Sequence, residues 1–317
     1  MKVSDMLVKA LEDQGIEIVL GVPGEENADF MQSLEASSKI RFILTHDETQ
    51  AGMMGVSYGT LTHKPVAIVA TLGPGATNVA TAVGQATQDG SPLILIVGQG
   101  STCRLDRDSH QIMDQMKFFE PIAKRAVSIR EPNLVSGIVH KAVKAAISGK
   151  PGAVVIELPE DVAKLEGDYR ELPKAEAVVA ISFGSKTDAV RMIRSSTKPV
   201  ILIGAGVSRG GASHVVRKLA DKTGFPVVNT MQGKGVIPEG NTVGFMDKSG
   251  LEPIKEADLI IAIGYGQVEV AAEKLGLNGK KIINISVVET SADPIYIPDI
   301  ELVGNIETII AKLTQKL

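Results

Sequence analysis

The chain has 317 residues, room for two domains of ordinary size, and its 44% hydrophobic and 22% charged residues are a globular mixture. The formal net charge is −4, no Lys/Arg cluster forms a stripe, and aromatics are only 3% with Trp absent, which argues against a nucleic-acid partner and a base-stacking surface. One cysteine, Cys103, excludes an internal disulfide and a multi-cysteine metal site.

Met1-Lys2-Val3-Ser4-Asp5 opens into an amphipathic helix rather than a charged-then-apolar leader. No apolar run approaches the roughly 20 residues that span a bilayer. The expectation is a cytoplasmic chain without a membrane partner. In chain order the pattern predicts helix Ser4–Gln14, strand Ile16–Leu20, helix Asn27–Ser37, strand Ile40–Thr45, helix Glu48–Leu61, strand Val66–Thr71, helix Ala76–Asp89, strand Leu93–Gly98, helix Asn133–Ser148 and strand Ala153–Leu158. After a polar stretch it predicts helix Thr187–Ser195, strand Val200–Gly204, helix Ala212–Thr223, strands Pro226–Asn229, Leu259–Gly264, Lys281–Ile285 and Glu301–Val303, and helix Ile306–Gln315.

Most of these strands are short, continuous apolar runs, the pattern of strands buried on both faces of a parallel sheet. The fold class is therefore α/β, with two doubly wound, mainly parallel-sheet domains. The stretch between Pro159 and Lys186 is polar and acidic and predicts no element. This divides the chain into residues 1–160, a linker over 161–186, and a Rossmann-like domain over 187–317.

Glu48 stands at the start of a helix that directly follows a strand, where open α/β sheets place ligands. Read alone, Asp47 and Glu48 in a first turn are explained by the helix dipole, worth about 0.3–1 kcal/mol each. Gly52, Gly55 and Gly59 then make one helix face without side chains, at a cost of up to ~1 kcal/mol per glycine. That face suits either tight packing within the domain or a partner helix across a subunit interface. The run Gly73-Pro74-Gly75-Ala76-Thr77-Asn78 is a second strand-to-helix turn, with glycines that permit positive φ and polar groups at the helix start.

The strings Gly21-Val22-Pro23-Gly24-Glu25-Glu26-Asn27, Glu48 with Ala51, Ala70-Thr71-Leu72-Gly73-Pro74-Gly75-Ala76-Thr77-Asn78, Asp108-Ser109-His110-Gln111 and Phe119-Glu120-Pro121-Ile122 follow one another in an order that resembles the acetolactate synthase group of thiamine-diphosphate enzymes. The later strings Gly204-Ala205-Gly206-Val207, Pro226-Val227-Val228-Asn229-Thr230, Gly233-Lys234-Gly235 and Ile263-Gly264-Tyr265 resemble that group's central domain. The resemblance implies a pyrimidine-binding domain followed by a central domain. It implies decarboxylation of a 2-oxo acid such as pyruvate and addition to a second one, giving 2-acetolactate, a step toward branched-chain amino acids.

By the same resemblance, Glu48 hydrogen-bonds N1′ of the cofactor's aminopyrimidine and favours the tautomer that activates the thiazolium. Pro23 and Gly24 lie in the turn facing the cofactor. Thr71, Gly73, Pro74 and Asn78 border its pyrimidine side, and Gln111 reaches toward the reacting centre.

The chain departs from that pattern in four ways. No Gly-Asp-Gly motif occurs, so the expectation is that Mg²⁺ and the diphosphate belong to a missing domain or a partner chain, that this chain holds no metal site, and that it is inactive alone. His46 sits one position before Asp47, where the family has a histidine directly before its glutamate; an exposed, helix-starting Asp47 is the simpler reading. Glu25 replaces a small residue near the substrate. The Gly204–Gly211 region lacks the acidic and basic residues expected around a dinucleotide, so FAD is not expected. A non-catalytic scaffolding subunit and a generic nucleotide-binding protein are the alternative readings. At least a homodimer is expected, through the Glu48–Gly59 helix region.

Overall fold

The structure is a computed structural model that describes residues 1–178, 184–238, 243–244, 248–290 and 294–317, without the side chains of 243–244 and 248–250. The chain divides into two compact units, Met1–Val178 and Val179–Leu317. Residues 179–183 of the expected linker lie outside the described residues.

In the first unit the elements run α1 (Val3–Asp13), β1 (Ile18–Gly21), α2 (Ala28–Glu35), β2 (Arg41–Leu44), α3 (Glu48–Thr62), β3 (Val66–Ala70), α4 (Pro74–Asp89), β4 (Leu93–Gln99), α5 (Gln115–Phe119), β5 (Arg125–Ser128), α6 (Val135–Ile147), β6 (Ala153–Pro159) and α7 (Glu160–Ala163). The strands form one six-stranded parallel sheet ordered β2-β1-β3-β4-β6-β5. Successive side chains of a strand point to opposite faces. Ala67 and Val69 of β3 accordingly join the core made with α1, α2 and α6, whereas Val66, Ile68 and Ala70 join the core made with α3 and α4. Burial on both faces explains why β3, β4 and β6 read as unbroken apolar runs.

In the second unit the order is α8 (Lys186–Ser195), β7 (Pro199–Ile203), α9 (Gly206–Arg209), α10 (Ser213–Thr223), β8 (Val227–Asn229), β9 (Val243–Gly244), α11 (Lys248–Glu256), β10 (Leu259–Ile263), β11 (Lys281–Ser286), β12 (Ile300–Val303) and α12 (Ile306–Lys316). Its sheet is also parallel, ordered β12-β11-β10-β7-β8-β9, and β7 again divides its side chains between two cores. The expected α/β class with two mainly parallel sheets is the observed one.

Several elements have no counterpart in the sequence pattern. The edge strand β5 reads Arg-Ala-Val-Ser and none of its residues is fully buried, so it lacks the apolar run that marks a central strand. The helix α11 contains Pro253, which interrupts a helical pattern. The polar stretch after β6 also packs more closely than a linker would. Ala175 N–H donates to Gln14 Oε1 at 2.8 Å, Gln14 Nε2 donates to Pro173 O at 3.2 Å, and Tyr169 donates to Asp13, so the last residue of α1 and the one that caps it hold this segment.

The glycine face of α3 is turned into the unit. A Cβ at Gly52 would lie 2.3 Å from Ala82 Cβ of α4, one at Gly55 2.7 Å from Ile68 Cδ1, and one at Gly59 2.4 Å from Ser91 Oγ. Close packing of α3 on α4 and the sheet is what requires these glycines, so of the two readings the intramolecular one accounts for them. A partner helix has no access to that stripe.

Candidate functional site

Asp47 caps α3. Its Oδ1 accepts from Thr49 N–H at 2.7 Å and Gln50 N–H at 3.2 Å, and hydrogen bonding from Thr49 and then Gln50 holds its carboxyl below the ordinary range. This cap faces the first-turn amides and leaves the next residue free to turn inward. Glu48 is only 9% exposed. Its Oε2 accepts from Asn78 Nδ2 at 3.0 Å, and Oε1 accepts no hydrogen bond among the described residues. Thr49 Oγ1 donates to Asn78 O at 3.0 Å, so the start of α3 holds Asn78 of α4 by two hydrogen bonds.

The turn before α4 is shaped by its backbone. Gly73 has φ 56 and ψ −114, a conformation reserved for glycine, and Pro74 follows at the first helical position, where its missing N–H costs nothing. A Cβ at Gly75 would stand 2.9 Å from Thr71 Cγ2 and 3.2 Å from Glu48 Oε1. A Cβ at Gly24 would stand 2.7 Å from Thr71 Cβ on the other side. Thr71 therefore lies between the turn after β1 and the turn after β3, and the absence of a side chain at Gly75 leaves space beside Glu48 Oε1.

Gln111 meets the same turn by its backbone. Its carbonyl oxygen would be 2.6 Å from a Cβ at Gly73, and it is one of two described non-glycine residues with positive φ, at 58. A left-handed glutamine is uncommon and costs energy unless its surroundings hold it there. The loop is held: Arg104 Nη1 pairs with Glu160 Oε1 at 3.2 Å, and Thr102 N–H donates to Asp161 Oδ1 at 3.0 Å. Pro23 and Pro74 are exposed at the rim. All eight residues singled out from the sequence thus lie in the βα turns of β1, β2 and β3 or in the loop that touches them.

One residue of this cluster gives no warning in the sequence. Glu26 is half-buried, and its Oε2 accepts from Thr71 Oγ1 at 2.7 Å. Its neighbour Glu25 is exposed. Nothing in a Glu-Glu-Asn string says which glutamate faces inward; the short helical turn Glu25–Asn27 decides it, with Gly24 N–H donating to Asn27 Oδ1 at 2.9 Å.

The glycines of the second unit behave differently. A Cβ at Gly204 would meet Gly264 O at 2.5 Å, and one at Gly206 would meet Gly264 Cα at 2.7 Å. They allow one βα turn to press against another. The nearby carboxylate, Glu269, accepts from Ala205 N–H at 3.1 and 3.0 Å, from Gly266 N–H at 3.1 Å and from Thr230 Oγ1 at 2.6 Å. Among the described residues no group of three His, Cys, Asp or Glu side chains is arranged to hold a metal ion, and no helix is long and apolar enough to cross a membrane.

Comparison with known proteins follows the same division. Residues 1–118 match the thiamine pyrophosphate enzyme N-terminal TPP binding domain, and residues 187–313 match the thiamine pyrophosphate enzyme central domain. The chain is 29% identical over 323 residues to the catabolic acetolactate synthase of Raoultella terrigena, covering 99% of this chain and 58% of that protein. It is 31% identical to a probable acetolactate synthase large subunit of Methanococcus aeolicus, over 100% of this chain and 55% of that protein. It is 30% identical to the acetolactate synthase isozyme 1 large subunit of Escherichia coli (strain K12), over 98% of this chain and 57% of that protein. The chain thus spans little more than half the length of these relatives. It belongs to the thiamine pyrophosphate enzymes, carries their N-terminal and central domains, and is similar along its whole length to acetolactate synthases.

Proposed function

We propose that the chain supplies the pyrimidine-binding side of an enzyme that decarboxylates a 2-oxo acid such as pyruvate and joins the product to a second 2-oxo acid. The observation that carries this reading is the buried Glu48 with one oxygen held by Asn78 and the other left uncovered beside Gly75. That arrangement fits an aminopyrimidine: an acid group is presented to a ring nitrogen, and the missing side chain of Gly75 leaves room beside the acid.

Thiamine diphosphate, when bound, supplies the carbanion chemistry. The chain's own residues fix where a proton sits. Glu48 Oε1 would hold a proton against N1′ of the pyrimidine, and the short lever from Asn78 keeps the carboxyl from rotating away. Thr71, tied to Glu26, and Gln111, tied to Gly73, flank the same space. Gly24 and Gly75 carry no side chain to intrude on it.

Mg²⁺ and the diphosphate are assigned in this reading to a further domain or partner chain, and the chain alone is expected to be inactive. Association is assigned to the outer side of α3 and the end of the edge strand β2, where Leu44, Met54 and Leu61 are 63%, 45% and 81% exposed. The test is formation of 2-acetolactate from pyruvate after assembly with a protein that carries a diphosphate-binding domain. Activity is expected only in the assembly, and Glu48→Gln is expected to remove at least about 100-fold of it. A fully active Glu48→Gln assembly would refute the role of Glu48; turnover by the chain alone would refute the need for a partner.

A further inference from the structure

A cavity of about 420 Å³ lies at the carboxyl ends of β4, β5 and β6, under the loop that runs from β4 to α5. Its position is the opposite half of the sheet from Glu48 in strand order. Ile112 and Met113 form part of its roof. Its floor is polar, which is unusual for the middle of a sheet otherwise filled by Val, Ile and Leu.

Glu157 of β6 is the centre of that floor. It is 3% exposed, and its Oε2 accepts from Gln99 Nε2 at 3.0 Å and from Gln115 Nε2 at 3.1 Å. Its Oε1 accepts nothing among the described residues. Gln115 is wholly buried; its Nε2 also donates to Gly98 O at 3.0 Å, and its Oε1 is buried with no partner. Reversing the amide would bring that oxygen against Gly98 O and Glu157 Oε2, so the orphan follows from the surroundings rather than from an arbitrary choice of atoms. Ser128 Oγ of β5 is a second buried oxygen without a partner.

Leaving a buried polar atom unpaired costs about 1–3 kcal/mol. Here two such atoms and an unengaged carboxylate oxygen belong to residues lining the same space. All three can accept from a donor, and two of them, the Glu157 carboxylate oxygen and the Gln115 amide oxygen, can do nothing else. Asp106 and Asp114 add negative charge at the wall against the single cation Arg130. A group with several N–H donors and a positive charge answers each of these needs, and the volume is that of a small-molecule site.

We infer that this cavity binds a small molecule through a primary ammonium group, seated on Glu157 Oε1, Gln115 Oε1 and Ser128 Oγ. The ligand is distinct from anything bound at Glu48. Its site shares one loop with that crevice, because the segment that roofs it also carries Gln111.

The test is a titration of the isotope-labelled 317-residue chain with ethylammonium chloride, following the side-chain NH₂ signals of Gln99 and Gln115 by NMR. No thiamine diphosphate is needed, so the outcome is independent of the catalytic reading. Saturable shifts are expected with ethylammonium and none with tetramethylammonium, which has the same charge and no donor. Ser128→Ala should weaken binding about fivefold, the loss of one hydrogen bond, and Glu157→Gln should abolish it. Ser128→Ala deletes an unpaired hydroxyl and keeps the fold, so it decides the matter should Glu157→Gln fail to fold. No saturable response, meaning water alone fills the cavity, overturns the inference. So does an equal response to tetramethylammonium, or an unchanged titration in Ser128→Ala.

Discussion

The two units place glycines and a carboxylate at the same part of the same architecture, yet the results differ. In the central unit, Gly204 and Gly206 face the backbone of Gly264 at 2.5 to 2.7 Å, and Glu269 takes up four hydrogen bonds from its own neighbours. In the N-terminal unit, Gly24 and Gly75 face side chains, and Glu48 keeps one oxygen uncovered. A glycine-rich strand-to-helix turn is therefore not itself the mark of a site. What distinguishes Gly24 and Gly75 from Gly204 and Gly206 is whether the space a Cβ would fill is already occupied by main chain, and the two nearby carboxylates differ in the acceptor capacity they have left.

The largest expected effect is on catalysis. Glu48→Gln keeps the shape and the Asn78 contact but should lower turnover of the assembled enzyme by at least about 100-fold, with thermal unfolding within a few degrees of the parent. The equivalent exchange at Glu269 should leave catalysis alone, and finding the reverse would dissolve the contrast between the units. Next is Gly264→Ala. Its φ is 60 and a Cβ would sit 2.5 Å from Val207 N, so a loss of about 2–3 kcal/mol is expected in a denaturant titration.

Gly75→Ala is the matched change in the other unit. The new methyl would meet Thr71 and Glu48 Oε1 rather than backbone, and alanine favours the helix by up to ~1 kcal/mol. Stability should hold while turnover falls by about tenfold, the size of one displaced contact at a reacting centre. A destabilised but active Gly75→Ala enzyme would erase the distinction.

The smallest effect is on pH dependence. Asp258, in the central unit, accepts from Ser196 Oγ, Thr197 N–H and Lys198 N–H, and these bonds, the Ser196 hydroxyl foremost, hold its carboxyl below the ordinary aspartate range. A depressed carboxyl contributes stability that is present above the unfolded pKa and lost as pH falls through that value toward the folded one. Asp258→Asn should therefore flatten the acid limb of the stability curve and leave the neutral region displaced by a constant amount, as read from unfolding midpoints between about pH 2 and 7.

The parallel sheets were legible because apolar runs such as Val66–Ala70 and Leu93–Gln99 are buried on both faces and have no other use for that composition. The juxtaposition of Glu48 with the 73–78 turn was legible only through the resemblance, since both lie at strand ends but no local pattern states that β1 separates β2 from β3. The bond from Thr71 to Glu26 was not legible, because it joins residues 45 positions apart through a single short turn. The direction of the Gly52, Gly55 and Gly59 face was not legible either: bare helix faces suit an intramolecular and an intermolecular neighbour equally. Glu157 was hidden for a related reason. It interrupts an apolar run in β6, and only the amides of Gln99 and Gln115, distant in sequence, make it tolerable there.

The alternation along β3 has a consequence for how such a chain can change. Thr71 and Gly73 follow that strand immediately, so their aim is inherited from its pleat. Inserting one residue between Val66 and Ala70 would turn over every side chain beyond it, move those residues from one core to the other, and swing Thr71 away from Glu26. Length changes in this strand keep the pleat only in pairs, which leaves substitution as the simpler route of change for the turn that follows it.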